Sequence, residues 1–103
     1  MKQYKVYTKE KGLVETDDYI SDNIHKLTFH REDGPAFIRY HSNGKVADEV
    51  YYVHDKCHRL DGPADIVYDE NGNIVYGAYW INDIGYTKEQ YEKELLKLKF
   101  KSL

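Results

Sequence analysis

Cysteine occurs once in the chain, at Cys57. No disulfide can close within it, so the fold must rest on packing and hydrogen bonds, as suits a reducing compartment. The opening stretch, MKQYKVYTKEKG, lacks the apolar core of a secretory leader, and no apolar run approaches the length of a membrane span. The expectation is a cytoplasmic protein without membrane contact. A net positive charge is lacking as well: the balance is −3, which opposes an extended nucleic-acid footprint built from clustered Lys and Arg. No phosphate-cradling glycine loop, Ser/His/Asp motif or paired catalytic carboxylate signature is present. Apolar residues make up 41% of the 103 residues, below the globular average, which fits one small or thin domain with much exposed surface.

What the chain does have is tyrosine and repetition. Eleven of its fifteen aromatic residues are Tyr, a residue suited to half-buried sheet faces and to interfaces. The stretch HREDGPAFIRYHSNG at residues 30–44 returns as HRLDGPADIVYDENG at residues 58–72. With residues 30–57 set over 58–85, His30/His58, Arg31/Arg59, Asp33/Asp61, Gly34/Gly62, Pro35/Pro63 and Ala36/Ala64 match, and the identities continue through Asn43-Gly44/Asn71-Gly72 to Asp55/Asp83. Twelve identities at a 28-residue offset without a gap point to a duplicated unit.

Each unit reads as a β-hairpin. AFIRY and ADIVY alternate with period two, and Asn-Gly is a strong hairpin signal because both residues tolerate positive φ. The segments that follow are rich in β-branched and aromatic residues. Strands are expected over 35–41, 45–54, 63–69 and 73–81. Residues 1–29 read as a degenerate N-terminal hairpin unit, since terminal repeats are commonly atypical; repeat one is 30–57 and repeat two 58–85. The period then changes. Thr87 is placed as a helix N-cap with Gln90 as its capping-box partner, and Tyr91, Leu95 and Leu98 share one face of a helix spanning 87–101. The fold class is therefore mainly β: tandem antiparallel hairpins with a 28-residue period, forming a twisted sheet capped by a C-terminal helix. Ten basic and fifteen acidic residues precede Lys88, and five basic and three acidic residues follow from it, so a basic helix stands against an acidic body.

The phrases HR-x-DGPA…NG, with Trp80-Ile81-Asn82-Asp83 and Tyr86-Thr87-Lys88-Glu89 after the second copy, resemble the HRxDGPA-type repeats, relatives of the MORN-type hairpin repeats that occur in small proteins of tailed bacteriophages, some bacteria and large DNA viruses. The resemblance spans roughly residues 30–94; residues 1–29 depart from the pattern. It implies a hairpin-repeat fold and a phage-like origin, with the host cytoplasm as its setting, and implies no enzymatic activity.

His30, Asp33, His58 and Asp61 are residue types suited to acid–base work, and His54, Cys57 and His58 form a compact H-x-x-C-H set. A zinc site normally shows a second pair of ligands at a known spacing, so neither metal nor cofactor is expected. A catalytic site is needed once, whereas this phrase recurs with the architectural period. His30, Asp33, Gly34, Pro35, His58, Asp61, Gly62 and Pro63 are thus assigned to structural corners, in which Asp accepts from backbone N–H groups as in an Asx turn, Arg pairs with an acidic neighbour and His holds the strand exit. His25, His41 and His54 fall at non-matching positions and read as surface or half-buried histidines. Cys57 reads as a small filler; a reactive thiol needs an electropositive setting, which His58 and Arg59 supply only weakly.

Function is then expected in residues that break the repeat, because those required for folding match between units. Phe37, Arg39, His41, His54, Tyr76 and Tyr86 are the candidate contacts of a non-enzymatic protein-binding module, a stoichiometric inhibitor of a host or bacterial enzyme or defence protein. The alternatives are a small nucleotide-acting enzyme or a ligand-sequestering protein using the His54, His58 and Asp61 region, and homo-oligomerisation through an open sheet edge.

Overall fold

Antiparallel pairing of sequence neighbours accounts for most of the regular structure. The computed structural model describes residues 2–20 and 26–101; His25 lies outside them. The strands are β1 (Tyr4–Thr8), β2 (Gly12–Thr16), β3 (Phe37–Tyr40), β4 (Val46–Val50), β5 (Tyr52–Val53), β6 (Lys56–Cys57), β7 (Asp65–Tyr68), β8 (Ile74–Ile81) and β9 (Ile84–Tyr86), followed by α1 (Lys88–Lys101). A seven-stranded sheet runs in the order β2-β1-β3-β4-β7-β8-β9, and β5-β6 forms a separate two-stranded ribbon. No described helix is long and apolar enough to cross a membrane.

Register divides the sheet into two faces. The rows Tyr4–Arg39–Asp48–Val67–Tyr76 and Val6–Phe37–Val50–Asp65–Ala78 run across neighbouring strands on the front face, and Lys5–Ile38–Glu49–Ile66–Gly77 runs across the back. The contiguous buried cluster sits at the β1–β3 end, where Val6 and Ala36 meet Ile20, Leu27 and Phe29, with Tyr7, Val14, Phe37 and Tyr52 packed around it. At the far end Ile74, Val75 and Tyr76 are more than half exposed.

The strands expected over 35–41, 45–54, 63–69 and 73–81 are present but shorter, and 45–54 is broken into β4 and β5. After Val50 the chain enters a two-residue turn at His54 and Asp55, with φ of 50° and 65°, and Asn82 and Asp83 do the same at 48° and 68°. Two consecutive residues at positive φ make the turn that matches strand twist in a two-residue hairpin. The Asn-Gly pairs behave otherwise than expected. Positive φ is confined to Gly44 and Gly72, at 88° and 90°; Gly44 N–H donates to His41 O and Gly72 N–H to Asp69 O, and the ladders slip by one residue beside each turn. These are longer loops with a glycine bulge rather than two-residue turns.

The capping box forms: Thr87 N–H donates to Gln90 Oε1 at 3.0 Å and Gln90 N–H to Thr87 Oγ1 at 3.2 Å. The shared face of Tyr91, Leu95 and Leu98, expected to cap the sheet, is covered only in part. Tyr91 is buried, Leu95 half-buried and Leu98 39% exposed. α1 lies against β8 and β9 with Tyr91 as its anchor: the ring stacks at 4.7 Å on Tyr79 while the hydroxyl donates to Arg59 O at 2.6 Å and accepts from Gly62 N–H at 3.3 Å. Tyr91→Phe should therefore cost about 1–2 kcal/mol in urea denaturation, the scale of removing a buried hydroxyl from two partners, whereas Leu98→Ala should stay within about 0.5 kcal/mol of wild type.

Candidate functional site

The HRxDGP phrase builds two corners with the same bonds. At the first, Arg31 N–H donates to Tyr52 O, Asp55 N–H to Phe29 O, Phe29 N–H to Asp55 Oδ1 at 3.1 Å and His54 N–H to His30 Nδ1 at 2.9 Å. At the second, Arg59 N–H donates to Trp80 O, Asp83 N–H to Cys57 O, Cys57 N–H to Asp83 Oδ1 at 2.7 Å and Asn82 N–H to His58 Nδ1 at 3.1 Å. Each histidine thus spends a ring nitrogen on the positive-φ turn that lies 24 residues further along the chain, and its remaining proton sits on Nε2.

Each arginine is pinned by its neighbours. Arg31 lies 3.9 Å over the Tyr7 ring and Arg59 4.1 Å over Tyr51, a cation–π contact. Nη1 of each donates to the proline carbonyl, Pro35 O or Pro63 O. On the other side of the guanidinium sits the glycine: a Cβ on Gly34 would come within 2.8 Å of Arg31 Cζ, and one on Gly62 within 3.2 Å of Arg59 Cζ. The carboxylates depart from the sequence reading. Asp33 and Asp61 accept from Arg31 Nε and Arg59 Nε at 3.0 and 2.9 Å, in place of the backbone amides of an Asx turn, and their side chains are 88% and 87% exposed. Gly34→Ala should destabilise by about 1–3 kcal/mol, the scale of overpacking. Asp61→Ala should lose less than about 1 kcal/mol, as exposed ion pairs do. Paired thermal melts separate the two outcomes.

The front face carries a constellation absent from the sequence reading. The side chains of Asp48 on β4 and Asp65 on β7 come together on the front face across the junction of the two hairpins, and Asp48 Oδ1 and Asp65 Oδ1 are buried without a partner among the described residues. Burial first, then the bond to Asp65 and its charge, push the Asp48 carboxyl up to about 7, while Arg39, opposite it on β3, pulls it down. Cys57 lies close by: burial, then Asp65 and Asp83, raise its thiol to about 12. Its surroundings are acidic, so the weakly electropositive setting considered from His58 and Arg59 does not arise, and the thiol stays protonated and unreactive. A hollow of about 300 Å³ next to the pair is lined by Tyr4, Tyr19, Phe37, Arg39, Asp48 and Tyr52, among others.

Of the six candidate contacts, the structure brings three to this face: Phe37 and Arg39 adjacent on β3, and Tyr76 in the same row as Arg39. The others lie apart. His41 sits at the hairpin end with Nε2 3.0 Å from Tyr68 O. His54 is in the turn at the opposite end, its ring 4.5 Å from that of His30 and its Nδ1 against Lys9 Nζ. Tyr86, on β9, pairs with Tyr79 of β8. A cleft of about 490 Å³ between the two corners is lined by Arg31, Asp33, Tyr51, His58, Arg59 and Asp61, among others. Among the described residues no group of three His, Cys, Asp or Glu is placed to hold a metal ion. Comparison of the chain with protein-family models, with curated proteins and with solved structures gives no match.

The acid pair makes stability depend on pH with a definite sign. Asp48 titrates near 3.8 when unperturbed and near 7 in the fold, so the folded state holds a proton that the unfolded chain releases, and stability falls as pH rises between those values. Wild type should melt at a lower temperature at about pH 8 than at about pH 5, and Asp48→Asn should flatten that difference and melt higher than wild type on the alkaline side. A melting temperature of Asp48→Asn below wild type throughout would contradict the assignment.

Proposed function

We propose that the chain is a tandem array of 28-residue hairpin units that works as a protein-binding module, engaging a macromolecular partner at defined stoichiometry through the front face around Phe37, Arg39 and Tyr76. The array reading is supported by the register: Phe37–Val50, Ile38–Glu49 and Arg39–Asp48 recur as Asp65–Ala78, Ile66–Gly77 and Val67–Tyr76, and the corner bonds recur at the same offset. The resemblance to HRxDGPA-type repeats fits this reading and makes a host or bacterial protein the partner, met in the host cytoplasm, with inhibition by occupancy as the mode of action.

One observation carries the binding reading. The only strong motif is consumed by architecture, with both histidine Nδ1 atoms and both guanidinium groups engaged in holding corners, whereas the face between the corners and the hairpin ends carries Arg39, an exposed Tyr76 and an acid pair that neither corner uses. Tyr and Arg in a partly desolvated setting are typical anchors. The enzyme alternative draws on His54, His58 and Asp61, but His54 is bound up with the first corner and His58 with the second, and burial lowers the basicity of His58. Ligand sequestration draws on the cleft between the corners, which His58 and Asp61 line and His54 does not.

The test is affinity capture of a partner followed by calorimetric titration. Alanine at Phe37, Arg39 or Tyr76 should each weaken binding, by about 2 kcal/mol at a true anchor, without lowering the melting temperature of the Arg39 and Tyr76 variants. Activity that persists at strongly substoichiometric protein and vanishes in His58→Ala would turn the reading toward an enzyme.

A further inference from the structure

The two ends of the sheet are built like the two sides of its own internal junctions. β1 accepts β3 on its outer side, and β4 accepts β7. β8 stands in the position of β4, but its stretch Ile74–Ala78 has a strand on one side alone, since β9 pairs only with Tyr79–Ile81. At the other end β2 stands in the position of β3 and β7: it pairs with β1 as β3 pairs with β4, and its outer side is open. We infer that the open edge of β8 takes the open edge of β2 from a second copy of this chain, head to tail, with Tyr76, Gly77 and Ala78 opposite Thr16, Glu15 and Val14 of that copy.

The register follows from the internal junction. There Asp48, Glu49 and Val50 lie opposite Val67, Ile66 and Asp65. Tyr76, Gly77 and Ala78 take the places of the first three, because both sets oppose equivalent residues of β3 and β7. Val14, Glu15 and Thr16 take the places of Asp65, Ile66 and Val67, because they oppose Val6, Lys5 and Tyr4 in the same order. Backbone polarity agrees independently. Ala78 O accepts from Ala64 N–H on the β7 side, so alternation turns the groups of Gly77 outward. Tyr7 N–H donates to Ala36 O on the β3 side, so Val6 and the opposing Val14 face each other, and Glu15 turns its groups outward. The two residues that the register sets opposite each other are thus both ones whose backbone donors and acceptors have no partner among the described residues.

Composition favours the same occupant. The stretch Ile74–Ala78 has no charge and no proline, the devices by which monomeric proteins blunt an exposed edge. Head-to-tail contacts that do not close into a ring grow as open chains, so association should deepen steadily with concentration rather than stop at a dimer.

Two edge-blocked variants test this. Gly77→Pro and Glu15→Pro each remove an outward-facing N–H and place proline where edge strands tolerate it; circular dichroism and melting confirm folding, and Val75→Lys and Leu13→Lys put a charge on the same edges without touching the backbone. By light scattering over micromolar to millimolar protein, wild type should show a mass that climbs with concentration, and each single variant should stay monomeric. An equimolar mixture of a β8-blocked and a β2-blocked variant should form a dimer and nothing larger, because one open edge of each kind remains. Wild type that is monomeric throughout, a single variant that still associates, or a mixture that does not dimerise would each overturn the pairing. None of these outcomes bears on binding of a foreign partner at the front face.

Discussion

The hydrogen bond from a turn amide to a histidine ring nitrogen, His54 N–H to His30 Nδ1 and Asn82 N–H to His58 Nδ1, is the contact on which the rest of the architecture leans. It ties together segments 24 residues apart and offsets the cost of holding non-glycine residues at positive φ, of order 1 kcal/mol or more each. Once the turn is held, Asp55 and Asp83 are positioned to accept from Phe29 and Cys57 N–H. The chain is then delivered to Arg31 and Arg59, whose guanidinium groups settle between a tyrosine ring and a glycine. Histidine, arginine and glycine in this phrase are three parts of one brace.

Much of the fold was legible in local chemistry. Alternating residues announced β3 and β7, Asn-Gly announced the reversals after them, and Thr87 with Gln90 announced the start of α1, because each of these is decided within a few residues. What escaped was decided elsewhere. The turns at His54-Asp55 and Asn82-Asp83 carry no glycine, and their strain is met by partners far away in the chain. The exposure of Leu98 follows from how little of α1 the sheet edge can cover, a matter of placement that helical periodicity does not encode. Asp48 and Asp65 fall at mismatched positions of the two units, opposite Tyr76 and Phe37 in the alignment. Aspartate is depleted in strands, and that was the one signal available; their meeting depends on the register between hairpins.

The front face combines three properties: aromatic area at its covered end, a guanidinium at Arg39, and two carboxyl groups brought together at Asp48 and Asp65. In the proposed binding module the two buried carboxyl oxygens underlie the docking face rather than forming part of its outer surface.

The ring of Tyr91 on Tyr79 stands where Arg31 and Arg59 stand on Tyr7 and Tyr51. A tyrosine face accepts either a guanidinium or another ring, so the last strand is indifferent to whether a further corner or a helix comes after it. On the array reading, length is then a punctuation rather than a property of the strands. The number of units can change by recombination at the corners while the terminator is carried along intact, and a lineage of such proteins can vary in span without having to rediscover how to stop.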